Sequence, residues 1–402
     1  VTDASPTAPT ERVVALDALR GVALLGILII NVRVFAMPEV VLTNPTAYGD
    51  FSGLNYLVWL VGHLFAEQTF LTLFSALFGA GIVLFTESKA RDGQPAVELH
   101  TRRTAWLLVI GLGHAYLLWY GDILVAYALC GFGAVTVRNW PATKQARAGL
   151  ALFAVPSVLQ VLTGLGTGAA AVADLWEPTT TALGQEIEQY QGGYLDQMAH
   201  RLPTALERQT LGFLGTTVWR VGGIILLGMA LLKWGVFTND RSASEYRQMA
   251  VGGVTAGVTV ILAGVAYIEA TDWAADAALF WLQFNYWGSI LVAAGYVGLV
   301  MRLTDRRPAG RVTQGLAAVG RTAFTNYLLQ TVLATSVFYG HGLGLFGQVS
   351  RVEAFGVVLA IWAVQVPLSV IWLRRYRYGP VEWVWRRLTY RRREPLRRDR
   401  QI

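Results

Sequence analysis

An all-α, polytopic bundle of about ten membrane-crossing helices is what this sequence predicts, and three observations predict it. Of its 402 residues 54% are hydrophobic and only 15% are charged, against roughly 25% charged in an ordinary soluble domain. Apolar stretches of about 20 residues, enough to cross a bilayer, follow one another with short polar joints. Lysine and arginine concentrate in alternate joints, the pattern expected of short cytoplasmic loops.

Taken in order, apolar windows place spans near residues 14–36, 57–86, 104–120, 122–138, 147–172, 210–234, 249–269, 277–301, 314–339 and 353–373. The second is long enough to tilt strongly or to break, and the third and fourth share the tight joint "WYGD". Residues 1–12, "VTDASPTAPTER", read as a disordered cytoplasmic tail before a retained helix, because the apolar run behind them carries charges and no small-residue cleavage site. One transmembrane domain, residues 13–373, follows. Its long hydrophilic joint at 174–209 is acidic, and "GQEIEQYQGGYLDQMAHRL" reads as a short amphipathic helix capping the outer mouth. Residues 374–402 interleave Trp and Tyr with Arg, as expected of a tail lying on an anionic inner leaflet.

Sidedness follows from counting. Twenty-six of the 33 Lys and Arg residues fall before the first span, after the second, fourth, sixth and eighth, and in the C-terminal tail; Arg33, Arg201, Arg208 and Arg351 fall in the opposite joints. Both termini are therefore expected in the cytoplasm, with the chain in the plasma membrane and lipids as its first partners. The net charge of +7 is accounted for by those loops and implies no nucleic acid. A single cysteine, Cys130, excludes a disulfide framework, and five scattered histidines lack paired-ligand spacing, so no metal is expected. "GAG", "GLG" and "GFG" inside apolar spans read as close helix contacts, not phosphate loops. No Walker or nucleophile-elbow sequence occurs.

Arg20, Arg220 and Arg321 lie within spans, where a charge is costly and marks function. Asp17 and Arg20, three apart on one helix face, either neutralise each other or, with Arg102, Arg103 and Arg321, offer a phosphate-binding set at the cytoplasmic face. His63, Glu67, His114 and Asp122 are expected at one outer level, where a carboxylate can hold an imidazole ready to take a proton from a hydroxyl or amine. Asn31 ends at that level too. Arg220 with the amides Asn285, Asn326, Gln330 and Gln365 lies deeper, and Glu67 is the expected partner of Arg220. Each polar residue also has a plain structural reading as hydrogen-bonding glue between helices.

"RVVALDALRGVALLGILIINV", "FAEQTFLTLFSALFGAG", "RRTAWLLVIGLGHAYLLWYGDIL", "GRTAFTNYLLQ", "FYGHGLGLFG" and "YGPVEWVWRRLTY" occur in that order between residues 12 and 390. Together they resemble the YeiB-like bacterial membrane proteins, a family of unknown function. Arg12, Asp17, Arg20 and Gly21 are also similar to the opening of the transmembrane acyltransferases, including the heparan-α-glucosaminide N-acetyltransferases. That resemblance implies an acyl group taken from cytoplasmic acyl-coenzyme A and delivered to an extracytoplasmic sugar or lipid. Glu67 before Phe70 sits like an acidic residue of that branch, whereas the branch's upstream histidine has no counterpart near Leu57. A transporter of a small anionic or amphipathic solute is the rival expectation.

Overall fold

The computed structural model describes residues 14–307, 309–392 and 394–398. The tail expected at residues 1–12 and the last four residues of the basic tail lie outside that set. Among the described residues sixteen α-helices run in order: α1 Val14–Ala36, α2 Gly53–Phe65, α3 Thr69–Arg91, α4 Ala96–Gly113, α5 Leu124–Ala134, α6 Ala142–Thr167, α7 Ala173–Trp176 and α8 Thr180–Gln191. Then follow α9 Tyr194–Glu207, α10 Val218–Lys233, α11 Ala243–Ala270, α12 Ala278–Arg306, α13 Arg311–Arg321, α14 Ala323–Phe338, α15 Arg351–Arg375 and α16 Pro380–Tyr390. Among the described residues there is no strand, and pairing is limited to one isolated bridge, Tyr376 with Arg397.

Among the described residues seven helical stretches are long and apolar enough to cross a membrane, and a shorter apolar helix covers Leu124–Val137. The most apolar windows divide into two kinds: those of Val14–Ala36 and Gly53–Arg91 are 61% and 67% buried, those of Ala142–Ala170, Ala243–Ala270 and Arg351–Arg375 only 22%, 28% and 28%. Hence α1 and α3 form the centre, while α6, α11 and α15 turn apolar faces outward, as helices bordering lipid do. Around α1 stand α3, α12, α13, α14 and α15; elsewhere α11 packs along α12 and α6 along α10.

Two long apolar windows are split. The one at 57–86 breaks between α2 and α3, where Gln68 adopts a left-handed backbone with φ 61°. The one at 314–339 breaks at Thr322, because the new helix α14 takes its first-turn cap from Glu382 of α16, which accepts from the backbone N–H of Phe324 at 2.8 Å and of Thr325 at 3.1 Å. The amphipathic segment after residue 174 is two helices, since Gly192 and Gly193 interrupt it and Asp196 accepts from the Gly193 N–H at 2.9 Å to start α9. The tail helix α16 turns back against the bundle, its Trp385 Nε1 donating to the Arg103 carbonyl at 2.8 Å.

These contacts give the molecule two ends. At the basic end the start of α1, the end of α13 and α16 gather; at the capped end α8 and α9 cover the ends of α1, α4 and α14.

Candidate functional site

Gly21 and Gly320 build the basic end. A Cβ on Gly21 would stand 2.0 Å from the Leu316 carbonyl oxygen, and one on Gly320 1.8 Å from that of Asp17, so α1 and α13 cross backbone against backbone. The crossing carries Arg20 and Arg321 to one cavity of about 510 Å³, which Asp17 and Arg103 also line. Five arginines, Arg20, Arg91, Arg103, Arg321 and Arg386, face it against two carboxylates, Asp17 and Glu382. Both carboxylates are engaged. Arg20 Nη1 donates to Asp17 at 2.9 Å, and Glu382 caps α14, its burial raising its pKa above the usual carboxylate value. Arg103 lies flat over Trp385 at 4.2 Å and Phe85 at 5.0 Å, which fixes its guanidinium at the mouth. The balance of charge therefore favours an anion.

Below the mouth the walls become apolar. On α1 the lining runs from Leu16 to Ile27. At ~1.5 Å rise per residue that is a depth of roughly 16 Å. The deep wall includes Phe74, Ile123, Tyr127 and Tyr327. Arg102, expected among the phosphate ligands, does not face the cavity; it donates to Glu98 at 2.6 Å and to the Thr389 carbonyl at 3.2 Å, because it sits one position round α4 from Arg103.

Behind Tyr327 and Ile123 lies a hydrogen-bonded relay. His114 Nδ1 is 2.8 Å from Asp122, and Nε2 is 2.9 Å from the Thr331 hydroxyl. Asp122 holds its place by accepting from the Val125 N–H at 2.8 Å, which caps the first turn of α5. His114 opens a π-helical turn, His114–Leu118, at the end of α4. Such a bulge re-aims side chains. The imidazole is 2% exposed, with its ring 5.0 Å from Tyr327 on the cavity side and 6.5 Å from Trp119 on the other. With Nδ1–H donated to the carboxylate, Nε2 keeps its lone pair toward the hydroxyl, the arrangement of a base beside a proton donor. Thr331 was not anticipated from sequence, where a threonine in an apolar run carries no signal of its own.

His63 and Glu67 form a second, separate group. Glu67 accepts from Arg33 Nη1 at 3.0 Å and lies 3.1 Å from His63 Nδ1, and Arg33 Nη2 donates to the Trp59 carbonyl at 3.1 Å. Gly62 makes room, since a Cβ there would be 2.3 Å from the guanidinium. The imidazole is stacked between Trp59 at 4.9 Å and Trp281 at 5.5 Å. Among the described residues no hydrogen bond, ion pair or ring contact joins this group to His114 and Asp122, so the single outer cluster expected from sequence is two. The expected Glu67–Arg220 pair does not form. Arg33, counted from sequence with the joint after the first span although it stands in the last turn of α1, claims the carboxylate instead. Arg220 donates to the Gln68 carbonyl at 3.4 Å and lies over Tyr286 at 5.2 Å.

The amides serve as helix-to-helix bonds. Asn285 donates to the His63 carbonyl at 2.8 Å, Gln330 to the Leu24 carbonyl at 3.3 Å and to Gln365 at 3.1 Å, and Gln365 to the Asn326 carbonyl at 2.9 Å. Asn326 bonds Thr322 and Ser369, both at 2.9 Å. Asn31 is partly exposed on α1. None of Asn31, Asn285, Asn326, Gln330 or Arg220 lines the cavity. Among the described residues no group of three or more His, Cys, Asp or Glu is placed to hold a metal ion.

Residues 231–392 match a family described as "Protein of unknown function (DUF418)". The chain is similar to "Uncharacterized protein YeiB" of Escherichia coli (strain K12), 34% identical over 384 residues that are 95% of this chain and 97% of the relative. It is 30% identical to "Uncharacterized protein YxaH" of Bacillus subtilis (strain 168) over 417 residues, 99% of each chain. To the "Uncharacterized 39.9 kDa protein in amylase 3'region" of Bacillus acidopullulyticus it is 26% identical over 97% of each. With relatives of that similarity aligned from end to end, the chain belongs to the YeiB-like family of proteins of unknown function.

Proposed function

We propose that this protein is an integral membrane acyltransferase, taking an acyl group from acyl-coenzyme A at its basic, cytoplasmic end and passing it to a hydroxyl or amine that arrives from the capped, extracytoplasmic end. One observation carries the reading: a cavity with five arginines runs roughly 16 Å along α1 and is also lined by Tyr327, whose ring lies against the His114–Asp122 relay. Phosphates bind at Arg20, Arg103 and Arg321, and the apolar shaft takes the thioester arm.

In the reaction the acceptor oxygen or nitrogen takes the place of the Thr331 hydroxyl at His114 Nε2 and gives up its proton there as it attacks the thioester carbonyl. Asp122 stabilises the imidazolium that forms. The tetrahedral intermediate collapses with loss of the coenzyme A thiolate, which takes the proton from His114. A transporter would use the same arginines to hold an anionic solute, but the buried base with its orienting carboxylate favours chemistry.

The test is thiol release from a series of acyl-coenzyme A donors by the full chain in proteoliposomes, followed by mass spectrometry of added envelope sugars and lipids. Acceptor-dependent thiol release with acylated product is the expected result. Movement of solute with no thioester consumed would replace this reading by transport.

A further inference from the structure

The capped end holds a second polar cluster that the transfer chemistry does not use. It is built from Glu39 after α1, Tyr120 before α5, Glu186 and Tyr190 on α8, His200 on α9, Arg208 just beyond it, and Tyr339 after α14. Arg208 pairs with Glu39, whose backbone N–H donates to Glu186 at 3.0 Å. The rings lie against one another: Tyr190 is 5.2 Å from His200 and 4.6 Å from Tyr339, and Tyr120 is 6.1 Å from His200.

The side chains at the centre are closed in, with Tyr120 1% exposed and Tyr190 and Tyr339 0%. Yet the hydroxyls of all three, and His200 Nε2, have no hydrogen-bond partner of good geometry among the described residues. The Tyr190 and Tyr339 hydroxyls approach each other without meeting that geometry. Buried polar groups are normally satisfied, and three phenylalanines would fill the same volume with no desolvation cost. Four orphaned groups from four segments, their rings packed against one another, describe a ligand with several hydroxyls.

Hydrogen bonding narrows the class. Arg208, over the Tyr120 ring at 4.9 Å, is already paired with Glu39, and the buried Arg201, whose charge reaches Tyr190 and Tyr339, gives its terminal donors to the Leu117 carbonyl and to Gln197. Carboxylates accept from adjacent hydroxyls, tyrosine hydroxyls both donate and accept, and aromatic faces suit the C–H face of a pyranose ring. The cluster also leads inward. Trp119 joins Tyr120, at 6.0 Å, to His114, at 6.5 Å.

We infer that this cluster is a binding site for a carbohydrate ring, whose hydroxyl reaches His114 past Trp119. Its role as acyl acceptor rests on the transferase reading; the binding of a sugar does not. The probes are methyl α-D-glucopyranoside, methyl α-D-mannopyranoside and methyl β-N-acetylglucosaminide, followed by saturation-transfer NMR with the full chain in nanodiscs. Coenzyme A binding is measured on the same samples.

At least one glycoside is expected to receive saturation. Tyr120→Phe, Tyr190→Phe and Tyr339→Phe combined should weaken it by about tenfold or more while coenzyme A binding is unchanged. Because the hydroxyls are orphaned without ligand, the triple variant should unfold at the same temperature or higher; should it fail to purify, the three single variants carry the same comparison. No transfer to any glycoside, undiminished transfer in the variants, or a lowered unfolding temperature in them would overturn the site. Sugar binding without coenzyme A binding would keep the site and remove the transferase, and the reverse would keep the transferase and remove the site.

Discussion

The two ends of the bundle are built for opposite chemistries. At the basic end, five arginines line an open cavity whose two carboxylates are already engaged, and the surplus is positive. At the capped end Arg208 is paired with Glu39 and Arg201 is bonded to the Leu117 carbonyl and Gln197, and what is left over is mostly hydroxyl and imidazole. The first surface recognises charge and the second recognises shape and hydrogen-bonding pattern. Between them stands His114, flanked by Tyr327 of the cavity and Trp119 of the cluster. On the proposed reading, these unlike ends serve two unlike reactants that meet at one base.

The largest effect expected is at the shared base. His114→Asn should lower acyl transfer by about 10²–10⁴-fold while coenzyme A binding and the unfolding temperature stay near those of the parent chain, as measured by thiol release and thermal unfolding. Residual activity near the parent level would dissolve the link between the two ends. Next comes the buried Arg33–Glu67–His63 group, which the geometry gives to folding. Arg33→Met leaves a buried carboxylate short of its partner and should cost about 3–5 kcal/mol in stability, read by denaturant unfolding in detergent. If thiol release per folded molecule fell as well, the separation of this group from the reaction would be wrong.

At the mouth, Arg103→Ala with Arg321→Ala should weaken coenzyme A binding by about tenfold and flatten its salt dependence, with sugar binding untouched. The smallest effect concerns pH. Burial, with Glu39 nearby, pushes the Glu186 carboxyl up to about 7 from 4.5. The folded chain therefore holds a proton that the unfolded chain has released, and stability should fall as pH rises from about 4.5 to about 7 and then level off. Glu186→Gln, facing Glu39, Arg208 and the tyrosines, should flatten thermal stability across that window; an unchanged slope would place the titration elsewhere.

Helix α1 was legible in sequence to the residue, and so was the instability of the long window that became α2 and α3. Asp17 and Arg20 could be paired from their spacing because both partners sit on one helix. His114 with Asp122 was legible for a related reason: only a tight joint separates them. Glu67 was given the wrong arginine because depth is a single coordinate, and Arg33 and Arg220 differ in direction around the bundle, which no window reports. Thr331 and the three tyrosines were silent for another cause. A hydroxyl costs little in an apolar segment, so its presence stands out only when its neighbours are known. The split at Thr322 was hidden because its cause, Glu382, lies 60 residues further along the chain.

That carboxylate also ties the tail to the centre. Glu382 grips the first amides of α14, and the same uninterrupted rod carries Tyr327 and then, roughly 10 Å from the grip, Thr331. Helices are stiff over that length, so whatever enters the mouth and displaces the tail helix also tugs on the threonine at the far end. On the proposed reading, arrival of a guest at the mouth would thus be felt at the hydroxyl partner of His114.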